Sequence, residues 1–173
     1  MTSDEIAYAL HEHHFATDRS KRYHAYRLAC HRFSCIAIQI INCLVSAAVL
    51  VKILDGWPLL KTVLLGSASI LSGVAAYQSI SKRIESHADF KARFGELKKM
   101  FPPDLTEGSK ETLAQIAAAR EEIEKTDTRG FPCLDILMHN EECQARGMKE
   151  AMKPLNWFQR TIGCTLIPLS YRE

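Results

Sequence analysis

Two uninterrupted apolar runs constrain this chain more than any other feature. Ser34 to Leu54 is 21 residues long with Lys52 as its only formal charge, and Leu59 to Ser79 is another 21 with Lys61 as its only charge. Asp55, Gly56, Trp57 and Pro58 lie between them. At about 1.5 Å of rise per residue each run makes a helix of roughly 31 Å, the thickness of a hydrocarbon core. The pattern predicts an all-α membrane protein with two spans, 33–54 and 59–80, joined by an external turn at 55–58. So short a connection makes the two helices antiparallel neighbours.

The flanks give the hairpin a direction. Arg19, Lys21, Arg22, Arg27 and Arg32 precede the first run, and Lys82, Arg83, Lys91, Arg93, Lys98 and Lys99 follow the second. The turn has no basic residue, so the positive-inside rule puts both termini in the cytoplasm. Gly56 suits a helix C-terminus and Pro58 the first turn of the next helix. Trp57 is placed as an interfacial anchor, and Lys52 and Lys61 sit near enough to the turn to snorkel. The N-terminal residues carry charges before any apolar stretch begins, which is not a signal-peptide pattern, so the first span would act as an uncleaved insertion signal.

Outside the hairpin the chain reads as helices around breakers. No glycine or proline occurs before Gly56, so a helix from about Ser3, with Ser3 as its N-cap, is expected to run into the first span. Ile6, Ala9, Leu10 and His13, then Tyr23, Tyr26, Arg27 and Cys30, form a drifting stripe that needs a partner. The second span lacks proline up to Phe101 and continues as a stalk, 81–101, with Ile84, Phe90, Phe94, Leu97 and Phe101 on one face. Pro102 to Ser109 is a linker, and the C-terminal region, 109–173, is helical. Ser109 caps a helix to about Lys125 with Leu113, Ile116, Ala117 and Ile123 inward; a second helix spans Leu134 to Ala145; Pro154 opens a last one. One domain, 1–173, accounts for the whole chain, because 48 residues in the hairpin leave no room for a separate large core.

Within the spans two patterns stand out. Cys35, Gln39, Asn42 and Ser46 share one helical face, and amides in hydrocarbon need partners or water, so these are candidate pore-lining residues; interhelical glue is the plainer alternative. In the second run Gly66, Ser69, Gly73 and Ala76 make a small-residue groove for close helix packing, within one chain or between copies. In the C-terminal region Trp157, beside Phe158 and Arg160, is a further candidate interfacial anchor or part of an ordinary packed face.

Other chemistry is thinly represented. A net charge of +2 with basic residues spread over both arms gives no nucleic-acid surface. The cysteines at 30, 35, 43, 133, 143 and 164 include no C-x-x-C pair and suit a reducing compartment. His11, His13 and His14 in HEHH, His24 with His31, and the isolated His87 and His139 lack metal-ligand spacing, so no metal is expected. Without a nucleophile motif, phosphate loop or paired carboxylates, neither an enzyme nor a cofactor is expected.

A basic and aromatic N-terminal helix, a two-span hairpin with a minimal turn, a stalk, and the stretch Phe131 to Gly147 with Pro132, Leu134, Asp135, Asn140 and Gly147 together resemble the SLATT superfamily. The resemblance implies a bacterial inner-membrane effector of antiviral or conflict systems. Such a protein would form homo-oligomers in membrane lipid and perforate the membrane when triggered by a nucleotide second messenger or a sensor protein encoded alongside. The rival expectation is a non-conducting anchor or signalling adaptor whose cytoplasmic helices bind a partner.

Overall fold

The long helices cover the stretches that lack proline, and α2 runs on through Gly66, Gly73 and Gly95. The computed structural model describes residues 1–54, 59–127 and 130–164, and within its helices the side chains of 43, 46–54, 59–65, 68–73, 75–77 and 79 are outside the description. The glycine-free and proline-free start of the chain is one helix, α1, Ser3–Leu54. Then come α2, Leu59–Lys99, a 3-10 turn at Leu105–Glu107, α3, Lys110–Glu124, and α4, Pro132–Ala145. Two short turns, 3-10 at Lys149–Ala151 and π at Gln159–Gly163, complete the order. No strand occurs among the described residues, so the chain is all-α. Among the described residues no helix is long and apolar enough to cross a membrane. The external turn 55–58, about half of the side chains of the first apolar run and most of those of the second lie outside the described residues.

The chain divides into two compact units, Met1–Arg27 with His87–Glu173, and Leu28–Ser86. In the first unit α1 and α2 run antiparallel, since His14 meets Phe101, Asp18 meets Lys98 and His24 meets His87. The stripe on α1 finds its partner here. Leu10 is fully buried against Phe90, Phe94, Leu97 and Phe101 of α2 and Ile116 and Ile123 of α3. A second cluster joins Tyr23 of α1 to Cys133, Leu134 and Met138 of α4 and to Cys164. In the second unit Phe33, Ile36, Ile40, Ile41, Leu44, Val45 and Val74 are large apolar side chains left exposed.

Local chemistry explains each boundary and corrects three expectations. The N-cap of α1 is Thr2, not Ser3: the Thr2 N–H donates to Glu5 Oε2 at 2.8 Å and the Glu5 N–H to Thr2 Oγ1 at 3.3 Å. That reciprocal box needs Glu three residues after the cap, a spacing Thr2 has and Ser3 lacks. Helix α4 starts at Pro132 rather than Leu134, because the fixed φ and missing N–H of proline suit the first turn. The last helix does not open at Pro154, which lies outside any helix; its turn follows Asn156, whose Oδ1 accepts the Gln159 N–H at 2.8 Å while Gln159 Oε1 accepts the Asn156 N–H at 3.1 Å. This second box is the one that decides the start.

The remaining caps agree with the sequence. Ser109 Oγ accepts the Thr112 N–H at 3.1 Å and opens α3. At the end of α4 the Met148 N–H reaches Cys143 O at 2.8 Å and the Gly147 N–H reaches Gln144 O at 3.2 Å, a Schellman pattern closed by Gly147 at φ 73°. Gly108 serves a different need. A Cβ there would run into Leu10 Cδ1, so the linker lies close over the core only because this residue has no side chain.

Candidate functional site

The first unit carries a groove of about 1030 Å³ between α1, α3 and α4. Tyr8, His11, Glu12 and Phe15 line its α1 wall, with Arg120 from α3 and His139 from α4 opposite. The heptad-like return of polar residues on α1 makes this wall possible: the face that turns away from Leu10 and the α2 phenylalanines carries the charges. The volume matches small-molecule pockets, which combine apolar walls with a few convergent polar groups.

One ion network holds the groove's base. Arg22 Nε donates to Glu142 Oε2 at 2.9 Å, and Arg146 Nε donates to Glu142 Oε1 at 2.6 Å. Arg146 Nη2 donates to His14 Nδ1 at 2.8 Å and lies 3.4 Å from Asp18 Oδ2, while Lys98 Nζ donates to Asp18 Oδ1 at 2.7 Å. The Glu142 side chain is 4% exposed, so its charge is stable only because two guanidiniums meet it. The Arg146 guanidinium also lies 5.2 Å from the Phe15 ring centroid. Since His14 Nδ1 accepts from Arg146, His14 is neutral in this arrangement; burial, with Arg146 and Lys98 adding to it, holds its pKa below the usual 6.5 despite Asp18. His13 is lowered likewise, by burial and then by Arg120, which forms a two-nitrogen contact with Glu124.

A second cluster is buried on the other face of α1. His24 is fully buried, with Nδ1 3.0 Å from His87 Nδ1 and Nε2 3.3 Å from Asp127 Oδ2. Phe90 and Phe94 stack on its ring at centroid distances of 5.0 and 5.7 Å. Tyr23 beside it has its pKa raised, chiefly by burial, although Arg27 and the Gly130 and Phe131 N–H groups oppose the shift. The sequence treats His24 and His87 as unrelated, being 63 residues apart. Only the antiparallel register of α1 and α2 brings them together. The signal available was that each sits on the apolar face of its own helix.

Among the described residues, the contact between Cys143 and His139 is not arranged for nucleophilic chemistry. Cys143 Sγ is 3.4 Å from His139 Nε2, but that nitrogen is also 3.0 Å from the Ala151 carbonyl oxygen, which it must face with its proton. It therefore has no lone pair to take the thiol proton. Burial also raises the Cys143 pKa. Asn140 is a bracket: its Nδ2 donates to Lys153 O at 2.7 Å and its Oδ1 accepts the Lys153 N–H at 2.8 Å, fixing the segment after α4. Among the described residues no cluster of metal-ligating side chains of useful size occurs.

The residues singled out in the hairpin fall unevenly. Gln39 is exposed on α1, and Cys35 and Asn42 are half-buried. The side chain of Ser46 lies outside the described residues. A Cβ at Gly66 would meet no described atom within 4 Å. The side chains of Ser69, Gly73, Ala76, Lys52 and Lys61, and all of Trp57, lie outside the described residues. Trp157 is in the first unit and 75% exposed. No family model, curated protein or solved structure matches this chain.

Proposed function

We propose that this chain is an oligomeric two-span effector that forms or gates a pore in a bacterial inner membrane, depolarising the cell when triggered. The single observation that carries the reading is the apolar surface of α1 in the second unit. Phe33, Ile36, Ile40, Ile41, Leu44 and Val45 are between 41 and 72% exposed. A large aliphatic side chain loses about 1.5 to 3 kcal/mol when kept fully in water, so six at roughly half exposure cost on the order of 6 kcal/mol. Such a surface is stable against lipid or against further copies of itself, and a contiguous apolar patch marks an interaction surface. The same stretch and its partner run have membrane length in the sequence, with basic flanks on both sides.

In this reading Gln39, Asn42 and Ser46, with Cys35, face the conduction path, and Gly66, Ser69, Gly73 and Ala76 give the packing surface. Trp57, Lys52, Lys61 and Trp157 anchor the protein at the membrane interfaces. The first unit is cytoplasmic, and its groove receives the trigger, a small ligand such as a nucleotide messenger or a side chain of a sensor protein. The groove also favours a second reading, a non-conducting anchor that signals through the same surface.

Expression in bacterial cells with a potential-sensitive dye separates the two. A pore depolarises the membrane, and Gln39→Leu with Asn42→Leu suppresses this while carbonate-resistant membrane association persists. An anchor leaves the potential unchanged. Extraction of the wild-type protein by carbonate would remove both readings.

A further inference from the structure

The guanidinium of Arg146 is only partly used by the network at the base of the groove. Its Nε donates to Glu142 and its Nη2 to His14, with Asp18 beside it, and among the described residues nothing accepts from its Nη1. A guanidinium has five N–H groups, so two remain on that nitrogen. Arg146 lines the groove, and its side chain is 23% exposed. The guanidinium lies over the Phe15 ring, and the His139 ring meets Phe15 edge-on at a centroid distance of 5.3 Å. The same network carries an excess of charge. Arg22, Lys98 and Arg146 are its cations and Glu142 and Asp18 its carboxylates, while His14 accepts a hydrogen bond and is neutral. Three positive charges against two leave one over. Arg120, across the groove, is taken up by Glu124 in its two-nitrogen contact. Glu12, an exposed carboxylate on the α1 wall, opposes a second negative charge. Leu105, Ala145 and Met148 add wall without charge.

We propose that the groove binds an aromatic monoanion, with its flat ring system against Phe15 and the uncharged walls and its single anionic group on Arg146 Nη1. The chemistry selects all three parts of that description. An aromatic body matches the Phe15 and His139 rings and a groove of about 1030 Å³, within the range of small-molecule sites. One negative charge matches the one positive charge in excess and turns the unused Nη1 into a charge-assisted donor. A neutral ring forgoes that bond. A dianion brings a second charge that the network does not balance and that Glu12 repels. The proposal names a ligand class for the groove that receives the trigger in the proposed function, and it rests on that reading only for what binding causes.

The test is equilibrium dialysis of the full chain in bilayer discs, with empty discs subtracted, against three probes that differ in charge: neutral 2-naphthamide, monoanionic 2-naphthoate and dianionic 2-naphthyl phosphate. At about pH 7.5 the phosphate ester is mostly dianionic, and His14, held below 6.5, stays neutral. Expected for the wild type is saturable naphthoate binding with a Kd of about 1 mM, the efficiency usual for a probe of this size. Naphthoate should bind about tenfold more tightly than naphthamide, the effect of one hydrogen bond to a partly exposed charged group, and more tightly than the phosphate. Arg146→Lys keeps a cation for Glu142 but removes Nη1, so the preference for naphthoate over naphthamide should fall to about threefold or less while naphthamide binding holds. Ala145→Trp fills the groove from an exposed position without touching the network, and should weaken naphthoate and naphthamide at least about tenfold. Absent naphthoate binding overturns the proposal, as does naphthamide or the phosphate binding as tightly as naphthoate. Unchanged binding in Ala145→Trp, or an unchanged preference in Arg146→Lys, overturns it too. Binding is read apart from conduction, so its absence would leave the pore reading standing, and sealed liposomes would leave the binding site standing.

Discussion

Glu142 offers the sharpest test of how the first unit is held together. Glu142→Gln preserves shape but removes the charge that meets Arg22 Nε at 2.9 Å and Arg146 Nε at 2.6 Å. A hydrogen bond to a charged group contributes about 1.5 to 3 kcal/mol. The Arg22 side chain is 44% exposed, so water replaces most of that half and it contributes no more than about 1 kcal/mol. Arg146 is 23% exposed and shares its guanidinium with His14 and Asp18, so its half keeps most of its value. The glutamine oxygen still accepts one bond, which leaves an expected loss of about 2 to 3 kcal/mol, or roughly 30- to 150-fold in the opening of α4. Hydrogen exchange of residues 132–145 in the full chain reads this directly. In a double-mutant cycle, Arg22→Leu should couple to Glu142→Gln by less than about 1 kcal/mol. A loss below about 0.5 kcal/mol, or an Arg22 coupling that carries the whole effect, would refute the division of labour between the two arginines.

Other expectations follow from single contacts. Gly108→Ala drives a methyl into the fully buried Leu10 side chain and should cost about 1 to 3 kcal/mol in thermal or chemical unfolding of the first unit. Gly147→Ala places a Cβ at φ 73° and should lower α4 stability by roughly 1 to 2 kcal/mol, whereas Gly130→Ala, with open space at its Cβ, should not. Burial pushes the Cys164 thiol up to about 11 from 9.0, so at pH 8 its alkylation should run about 100-fold slower than that of an ordinary thiol; labelling at the ordinary rate would show the tail contact with Tyr23 and Cys133 to be wrong. His14 is held below 6.5 in the fold, so the unfolded chain takes up that proton first as pH falls; its contribution is whole above pH 6.5 and is lost below it. His14→Gln should make the acid limb of the stability profile shallower, and an unchanged limb would contradict the burial.

Much of the fold is legible in the sequence because its determinants are local. The absence of glycine and proline before Gly56 gives the length of α1, and Ser109 and Gly147 mark helix ends through caps that need only neighbouring residues. The spacing of Phe90, Phe94, Leu97 and Phe101 identifies the face that buries Leu10. Two of the three misplaced starts have a common cause, the third being set by Pro132 in the first turn of α4. At Thr2 and Asn156 a reciprocal box three residues long outweighs the residue that looks like a cap or a breaker on its own. The groove and the histidine cluster were not legible, because both depend on register between distant helices. Arg146 reaches His14 across 132 positions and His24 reaches His87 across 63, and no local pattern encodes either distance.

The central claim, that the hairpin conducts, is tested most directly by dye or ion efflux from liposomes bearing the purified full chain, with insertion checked by carbonate resistance. The account predicts efflux above that of protein-free vesicles, lost in the Gln39→Leu and Asn42→Leu double variant although it inserts as fully as the wild type. Inserted wild-type protein that leaves the vesicles sealed, or a double variant that leaks as much as the wild type, would contradict it.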